Sequence, residues 1–196
     1  MCSPTKIVLT GGPGAGKSVI TRAICDAFPD RYVRVPEAAT ATYARLNTRW
    51  DWLDTDGQRR VQRLIYHQQI EQEAEFARLH PSHTLLLDRG TLDGAAYWPD
   101  GADAYWHDLG TTSLRELARY DAVIWLETAA ALGIYDGSAS NAVRFEDAPG
   151  AVASGQALLQ LWVQHPKLYR VSAYTELSDK IAGVQHALRK LEANDQ

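Results

Sequence analysis

Cysteine is almost absent. Cys2 and Cys25 are the only two in 196 residues, too few for a disulfide framework, and without a CxxC or a neighbouring His pair they offer no metal site. Such thiols suit a reducing compartment, and the chain opens without a charged leader followed by an apolar core, so a cytoplasmic location is expected. Long apolar runs are missing too, which excludes a membrane-spanning helix of about 18 or more uncharged residues. There is no excess of basic charge. Lys and Arg number 20 against 24 Asp and Glu, a formal charge of −4, which argues against stable binding along nucleic-acid phosphates. The histidines, at 67, 80, 83, 107, 165 and 186, are scattered with no HxxxH pair, so transition-metal chemistry is not expected. No G-x-S-x-G or adjacent nucleophile and base suggests acyl transfer. Phenylalanine is scarce, three against six Trp and nine Tyr, so most rings carry a polar group that needs a partner when buried.

What is present describes a globular chain. Hydrophobic residues at 45% and charged residues at 22% fit a single domain over residues 1–196. Lys6-Ile7-Val8-Leu9-Thr10, Tyr32-Val33-Arg34-Val35, Thr84-Leu85-Leu86-Leu87-Asp88 and Ala122-Val123-Ile124-Trp125-Leu126 read as strands, most of them lacking polar alternation, as parallel strands covered on both faces do. Leu168 to Ser172 is a fifth. Helices are expected from Ser18 to Phe28, Gln58 to Leu79, Gln156 to Gln164 and Leu177 to Leu191, with a Gly/Ser/Asn-rich loop at Gly133 to Gly150. Strands alternating with helices imply an α/β fold: a doubly wound parallel sheet with right-handed crossovers.

The decisive motif is Gly11-Gly12-Pro13-Gly14-Ala15-Gly16-Lys17-Ser18, which satisfies G-x-x-x-x-G-K-[ST] between a strand and a helix. Small residues let backbone N–H groups wrap a phosphate, and the helix N-terminus beginning at Ser18-Val19 adds partial positive charge. Lys17 supplies a cation for the β- and γ-phosphates and Ser18 a hydroxyl for Mg²⁺. Asp88 ends an apolar strand, where ligands bind in open α/β sheets, and is a second Mg²⁺ ligand candidate; as a lone Asp after an apolar run it also reads as a turn residue. Arg89 beside it reads as a phosphate or substrate contact, or as a surface Arg in a tight turn.

Together with the glycine loop, Val35-Pro36-Glu37-Ala38-Ala39-Thr40, Asp88-Arg89-Gly90-Thr91-Leu92-Asp93-Gly94 and Asn141-Ala142-Val143-Arg144-Phe145-Glu146 resemble the AAA-type predicted ATPase/kinase family of small P-loop proteins. More distantly the chain is similar to deoxynucleoside kinases and to the ribosylnicotinamide kinase domain. The resemblance implies the nucleoside/nucleotide-kinase fold, a three-layer αβα sandwich whose five-stranded parallel sheet has the order 2-3-1-4-5. It also implies that Glu37 matches a base near the acceptor hydroxyl, and that Arg144 matches a lid arginine that neutralises the moving phosphoryl group from the loop at 133–150. On the residues alone, Glu37 is a base, a metal-shell carboxylate or, after Pro36, a helix start, Asp88 could also assist attack, and Arg144 equally suits a surface arginine beside Glu146 and Asp147.

In the long helix, Val61, Leu64, Ile65, Phe76 and Leu79 share a face with Gln68 and Gln72 at its centre. Those two amides are candidates for reading a polar substrate, with mutual satisfaction as the plainer alternative. Trp50, Trp52, Tyr97, Trp98, Tyr105 and Trp106 fall where an acceptor pocket would be rimmed, Trp98 foremost as a substrate contact. Two functions stay open. One is a phosphotransferase using ATP, or GTP, with Mg²⁺ and a small nucleoside- or nucleotide-like acceptor. The other is an NTPase switch that binds a protein or lipid partner; the Asn-Lys-x-Asp of common GTPases is missing.

Overall fold

The computed structural model describes residues 4–134 and 146–194. Five strands, β1 Lys6–Thr10, β2 Tyr32–Val35, β3 Thr84–Asp88, β4 Ala122–Leu126 and β5 Leu168–Val171, form one parallel sheet in the order β2-β3-β1-β4-β5. In register, Leu9 lies beside Asp88 and Ile124. Val8, Leu9, Leu85, Leu86, Leu87, Val123, Ile124 and Leu126 have no solvent exposure, which explains why these strands show no polar alternation: both faces are covered.

Two apolar clusters divide the layers. On one face α1 (Lys17–Ala27) and α7 (Leu177–Asn194) pack Ile20, Ile24, Val184 and Leu188 against Ile7, Leu9 and Leu86. On the other, α3 (Thr55–Leu79), α4 (Ala102–Leu109) and α6 (Ala148–Trp162) bring Tyr66, Tyr105 and Trp162 against Val8, Leu85 and Leu87. The result is the expected αβα sandwich with the expected strand order. Among the described residues no helix is long and apolar enough to cross a membrane.

Short helices not foreseen are α2 (Ala38–Leu46), α4, α5 (Ser113–Leu117) and 3-10 segments at Trp50–Trp52, Thr91–Tyr97 and Ala129–Leu132. The helix expected at Gln156 starts at Ala148 instead. Asp147 caps it, accepting from the Gly150 amide at 2.8 Å, and Pro149 occupies its first turn, a favourable start. Gly150 and Gly155 read as loop residues in sequence. Gly155 instead packs on the phosphate loop, where a Cβ on Gly12 would lie 3.0 Å from its amide nitrogen.

Candidate functional site

The carboxyl ends of β1 and β3 are neighbours in the sheet, and the chain leaves them toward opposite sides, the crevice where open α/β sheets bind ligands. The glycine loop after β1 is pinned by its surroundings. A Cβ on Gly11 would lie 2.2 Å from the Leu126 carbonyl oxygen, and one on Gly12 2.3 Å from that of Ala151. Thr128 Oγ1 donates to the Pro13 carbonyl at 2.5 Å. Gly16, at φ 84°, is the N-cap of α1 and carries no capping side chain, so nothing from the cap competes with an anion for the first-turn N–H groups. Lys17 Nζ lies over the loop, donating to the carbonyls of Gly11 at 2.8 Å and Gly12 at 3.2 Å. Val19 turns outward.

Asp88 is fully buried at the end of β3. Burial lifts its carboxyl above the ordinary range, with the Glu37 charge adding, while Lys17, the Ser18 hydroxyl and Arg89 oppose. Among the described residues neither carboxylate oxygen has a donor in hydrogen-bond geometry; Arg34 Nη2 stands 3.6 Å from Oδ2. A buried carboxylate with unused oxygens beside a serine hydroxyl is a donor set that fits a hard divalent cation such as Mg²⁺.

Glu37 is the N-cap residue of α2, yet its side chain makes no capping bond. It turns to Arg89, whose Nε donates to Oε1 at 2.6 Å, and Thr40 Oγ1 donates to Oε2 at 2.7 Å. Burial works to raise its pKa, but the Arg89 and Lys17 charges and the two donors prevail and hold it down at about 2. Arg89 adopts a left-handed φ of 77°, a conformation costing a non-glycine residue about 1–3 kcal/mol and persisting only where its surroundings fix it. Here the fixing groups are Glu37, Asp93 Oδ2 at 3.1 Å, and the Tyr97 ring, 5.6 Å from the guanidinium carbon. Burial disfavours the charge on Arg89, but Tyr97, Glu37 and Asp93 keep its pKa well above the ordinary value.

Asp93 was assigned no role from sequence, though it lies within the Asp88 to Gly94 stretch. Its Oδ1 accepts from Thr10 Oγ1 at 2.9 Å and Trp162 Nε1 at 2.7 Å. One carboxylate thereby ties the end of β1, helix α6 and Arg89 together.

A cavity runs from Lys17 and Ser18 past Glu37 and Arg89 to a wall of Tyr43, Trp50, Tyr66, Tyr97 and Tyr105, with Gln62 and Gln69 on the α3 side and Glu146 near its edge. Gln68, Gln72 and Trp98 do not line it. The buried stripe of α3 runs through Val61, Gln62, Tyr66, Gln69 and Glu73, so the helix faces the site in a phase different from that set by its leucines. Thr42 Oγ1 donates to Gln68 Oε1 at 2.8 Å, joining α2 to α3, and Gln72 Oε1 is buried with no partner among the described residues. Trp98 is a core residue against Tyr105, ring centroids 5.4 Å apart. Of the other expected aromatics, Trp50, Tyr97 and Tyr105 reach the cavity, Trp106 is buried in the core and Trp52 projects outward. Tyr43, Tyr66, Gln62 and Gln69 were missed. For Gln62, Tyr66 and Gln69 the signal was α3's polar face, which with Glu73 follows the i, i+4, i+7, i+11 spacing that an apolar-stripe reading passes over; Tyr43, on α2, gave none. Arg144 lies outside the described residues.

A glycine loop bearing Lys17, an acidic residue ending the neighbouring strand and a parallel sheet ordered 2-3-1-4-5 define a small P-loop protein of the nucleoside/nucleotide-kinase type, a fold that generally binds ATP or another nucleotide with Mg²⁺. Within that class the chain belongs to the AAA domain family, whose model matches residues 6–179. Among solved structures it is similar to deoxyadenosine kinase from M. mycoides with the products dCMP and a flexible dCDP bound, at 15% identity and a TM-score of 0.64, covering 95% of this chain and 100% of that one. No curated protein matches.

Proposed function

We propose that the protein is a small-molecule kinase that moves the γ-phosphoryl group of ATP, with GTP as an alternative donor, to a hydroxyl of a nucleoside- or nucleotide-like acceptor held in the aromatic cavity. The carrying observation is continuity: Lys17 and Ser18 of the phosphate cradle and the Glu37–Arg89 pair line one cavity with the aromatic wall. An acceptor seated against that wall has its hydroxyl beside Glu37 and next to the phosphate cradle, which converts a two-body encounter into a positioned reaction.

Lys17 and the backbone cradle hold the donor phosphates. Ser18 and Asp88 are the residues that would hold Mg²⁺, which when bound neutralises charge on the phosphoryl oxygens. Glu37 is ionised throughout the neutral range. So low a pKa makes it a weak ground-state base, but phosphoryl transfer through a loose transition state needs little proton removal before the P–O bond forms. Glu37 orients the hydroxyl and takes its proton late. Arg89 fixes Glu37 and adds positive charge beside the transferred group. Arg144, which the resemblance matches to a phosphate-neutralising arginine, is assigned the remaining positive charge.

The test is a coupled ADP assay with ATP·Mg²⁺ and a panel of nucleosides, nucleotides and small alcohols, with product mass recorded. Acceptor-dependent ADP and a product heavier by one phosphoryl group are expected. Phosphate release at the same rate with and without every acceptor would contradict the assignment and match an NTPase.

A further inference from the structure

We propose that Thr40 is a self-modification site: with no acceptor in the cavity, its hydroxyl takes the γ-phosphoryl group of ATP bound to the same chain. The inference goes beyond the kinase reading and rests on it for the bound donor and for the role of Glu37. A helical threonine ordinarily turns its hydroxyl back onto a carbonyl one turn earlier. Thr21 does so in α1, where its Oγ1 donates to the Lys17 carbonyl at 3.0 Å. Thr40, in the first turn of α2, does otherwise. Its Oγ1 donates to Glu37 Oε2 at 2.7 Å, so an alcohol already stands where an acceptor hydroxyl has to present its proton.

The other Ser and Thr hydroxyls on the cavity have different uses. Ser18 belongs to the phosphate cradle, and Thr91 Oγ1 donates to Glu116 Oε2 at 2.7 Å in the interior. Thr40 is exposed and lines the same cavity as Lys17 and Ser18. Glu37 joins the two sides. Burial works against its ionisation, and the charges that oppose burial are Arg89 first and Lys17 next, so the carboxylate lies within Coulomb reach of the lysine that meets the phosphates. In the step itself Oγ1 attacks the γ-phosphorus, and the new O–P bond forms as the bond to the β,γ-bridging oxygen breaks. ADP leaves with that electron pair, and the hydroxyl proton passes to Glu37 Oε2. The product places about −1.5 to −2 charge beside Glu37. Because Thr40 is consumed, each chain reacts once and does not turn over, which separates this reaction from ATP hydrolysis.

The experiment takes the whole protein, treated with a phosphatase and repurified, incubates it with ATP·Mg²⁺ and no acceptor, and follows intact mass and the modified peptide beside the transfer assay. About one phosphoryl group per chain is expected on Thr40, at a rate constant unchanged over about a tenfold range of protein concentration, as a reaction within one chain requires. Lys17→Ala and Thr40→Val should take up none, and Thr40→Ser should take it up at position 40. No added mass, a phosphoryl group on another residue instead, or a rate that rises in proportion to protein concentration overturns the proposal. Should Thr40→Val fail to fold, the peptide maps of the wild type and of Thr40→Ser decide instead. Transfer to an acceptor without modification of Thr40 overturns the self-modification and leaves the kinase reading standing; modification of Thr40 without transfer to any acceptor does the reverse.

Discussion

The cradle around Lys17 is backbone drawn from one short loop, whereas the cavity beside it takes its side chains from α2, α3, α4, the 3-10 segment after β3 and Glu146 just ahead of α6. The cradle's glycines are demanded by close approach to the Leu126 and Ala151 carbonyls, so its chemistry and its packing coincide in one contiguous motif. The cavity is different in kind. Its polar groups are fixed in tiers: Asp93 holds Arg89, Arg89 holds Glu37, and Glu73 holds Gln69. Donor binding is therefore written locally, and acceptor recognition depends on how distant elements meet. The two regions should accordingly respond separately to substitution.

The largest expected effect lies in the cradle. Lys17→Ala removes the cation that meets the phosphates, so transfer falls by at least about 10³-fold and ATP no longer raises the melting temperature. Acceptor binding by the same variant, followed by thermal shift without nucleotide, should be kept. Asp88→Asn comes next, with a fall of about 10²-fold in Mg²⁺-supported transfer. Because burial raises the Asp88 carboxyl, its ionised form costs stability at neutral pH, and the variant should melt at the same temperature or a few degrees (about 2–5 °C) higher.

The two carboxylates that meet at the boundary have opposite signs in acid. Glu37 is depressed from 4.5 to about 2, so the stability it contributes is complete above about pH 4.5 and is lost as pH falls toward 2. Asp88, held above its ordinary value, favours folding more as pH falls through the carboxylate range. Denaturant melts from pH 6 down to pH 3 should show the Glu37→Gln variant with a flatter acid limb than the wild type. The smallest effect is Thr42→Val, which breaks the bond to Gln68 outside the cavity. About 1 kcal/mol of stability should go, read by urea unfolding, with acceptor selectivity unchanged.

Sheet and cradle were legible in the sequence because each rests on a short contiguous signal: five apolar β-rich runs, and a glycine motif whose spacing has one use. The boundaries of all five strands agree with the sequence reading to within a residue. Helix α6 was placed late because Gly150 and Gly155 look like loop residues, whereas Gly150 donates to the Asp147 cap and Gly155 packs on Gly12. The cavity was half legible. Glu37 and Arg89 were carried by adjacent motifs, and their pairing is a tertiary fact that joins the start of α2 to the end of β3. On α3 the apolar stripe pointed to Gln68 and Gln72, but the helix turns a polar face inward because it borders a site rather than a dry core. Trp98 fills that core, as large rings near the end of a packed segment commonly do. Asp93 gave no cue of its own, since an aspartate inside a loop motif is most often a turn residue.

The most direct measurement is single-turnover phosphoryl transfer by Glu37→Gln, with ATP affinity determined on the same preparation. If the cradle and the cavity are separate devices meeting at Glu37, ATP affinity stays within about threefold of the wild type while transfer to the acceptor falls by about 10²- to 10⁴-fold. Transfer at the wild-type rate, or a loss of ATP binding in step with activity, would contradict it.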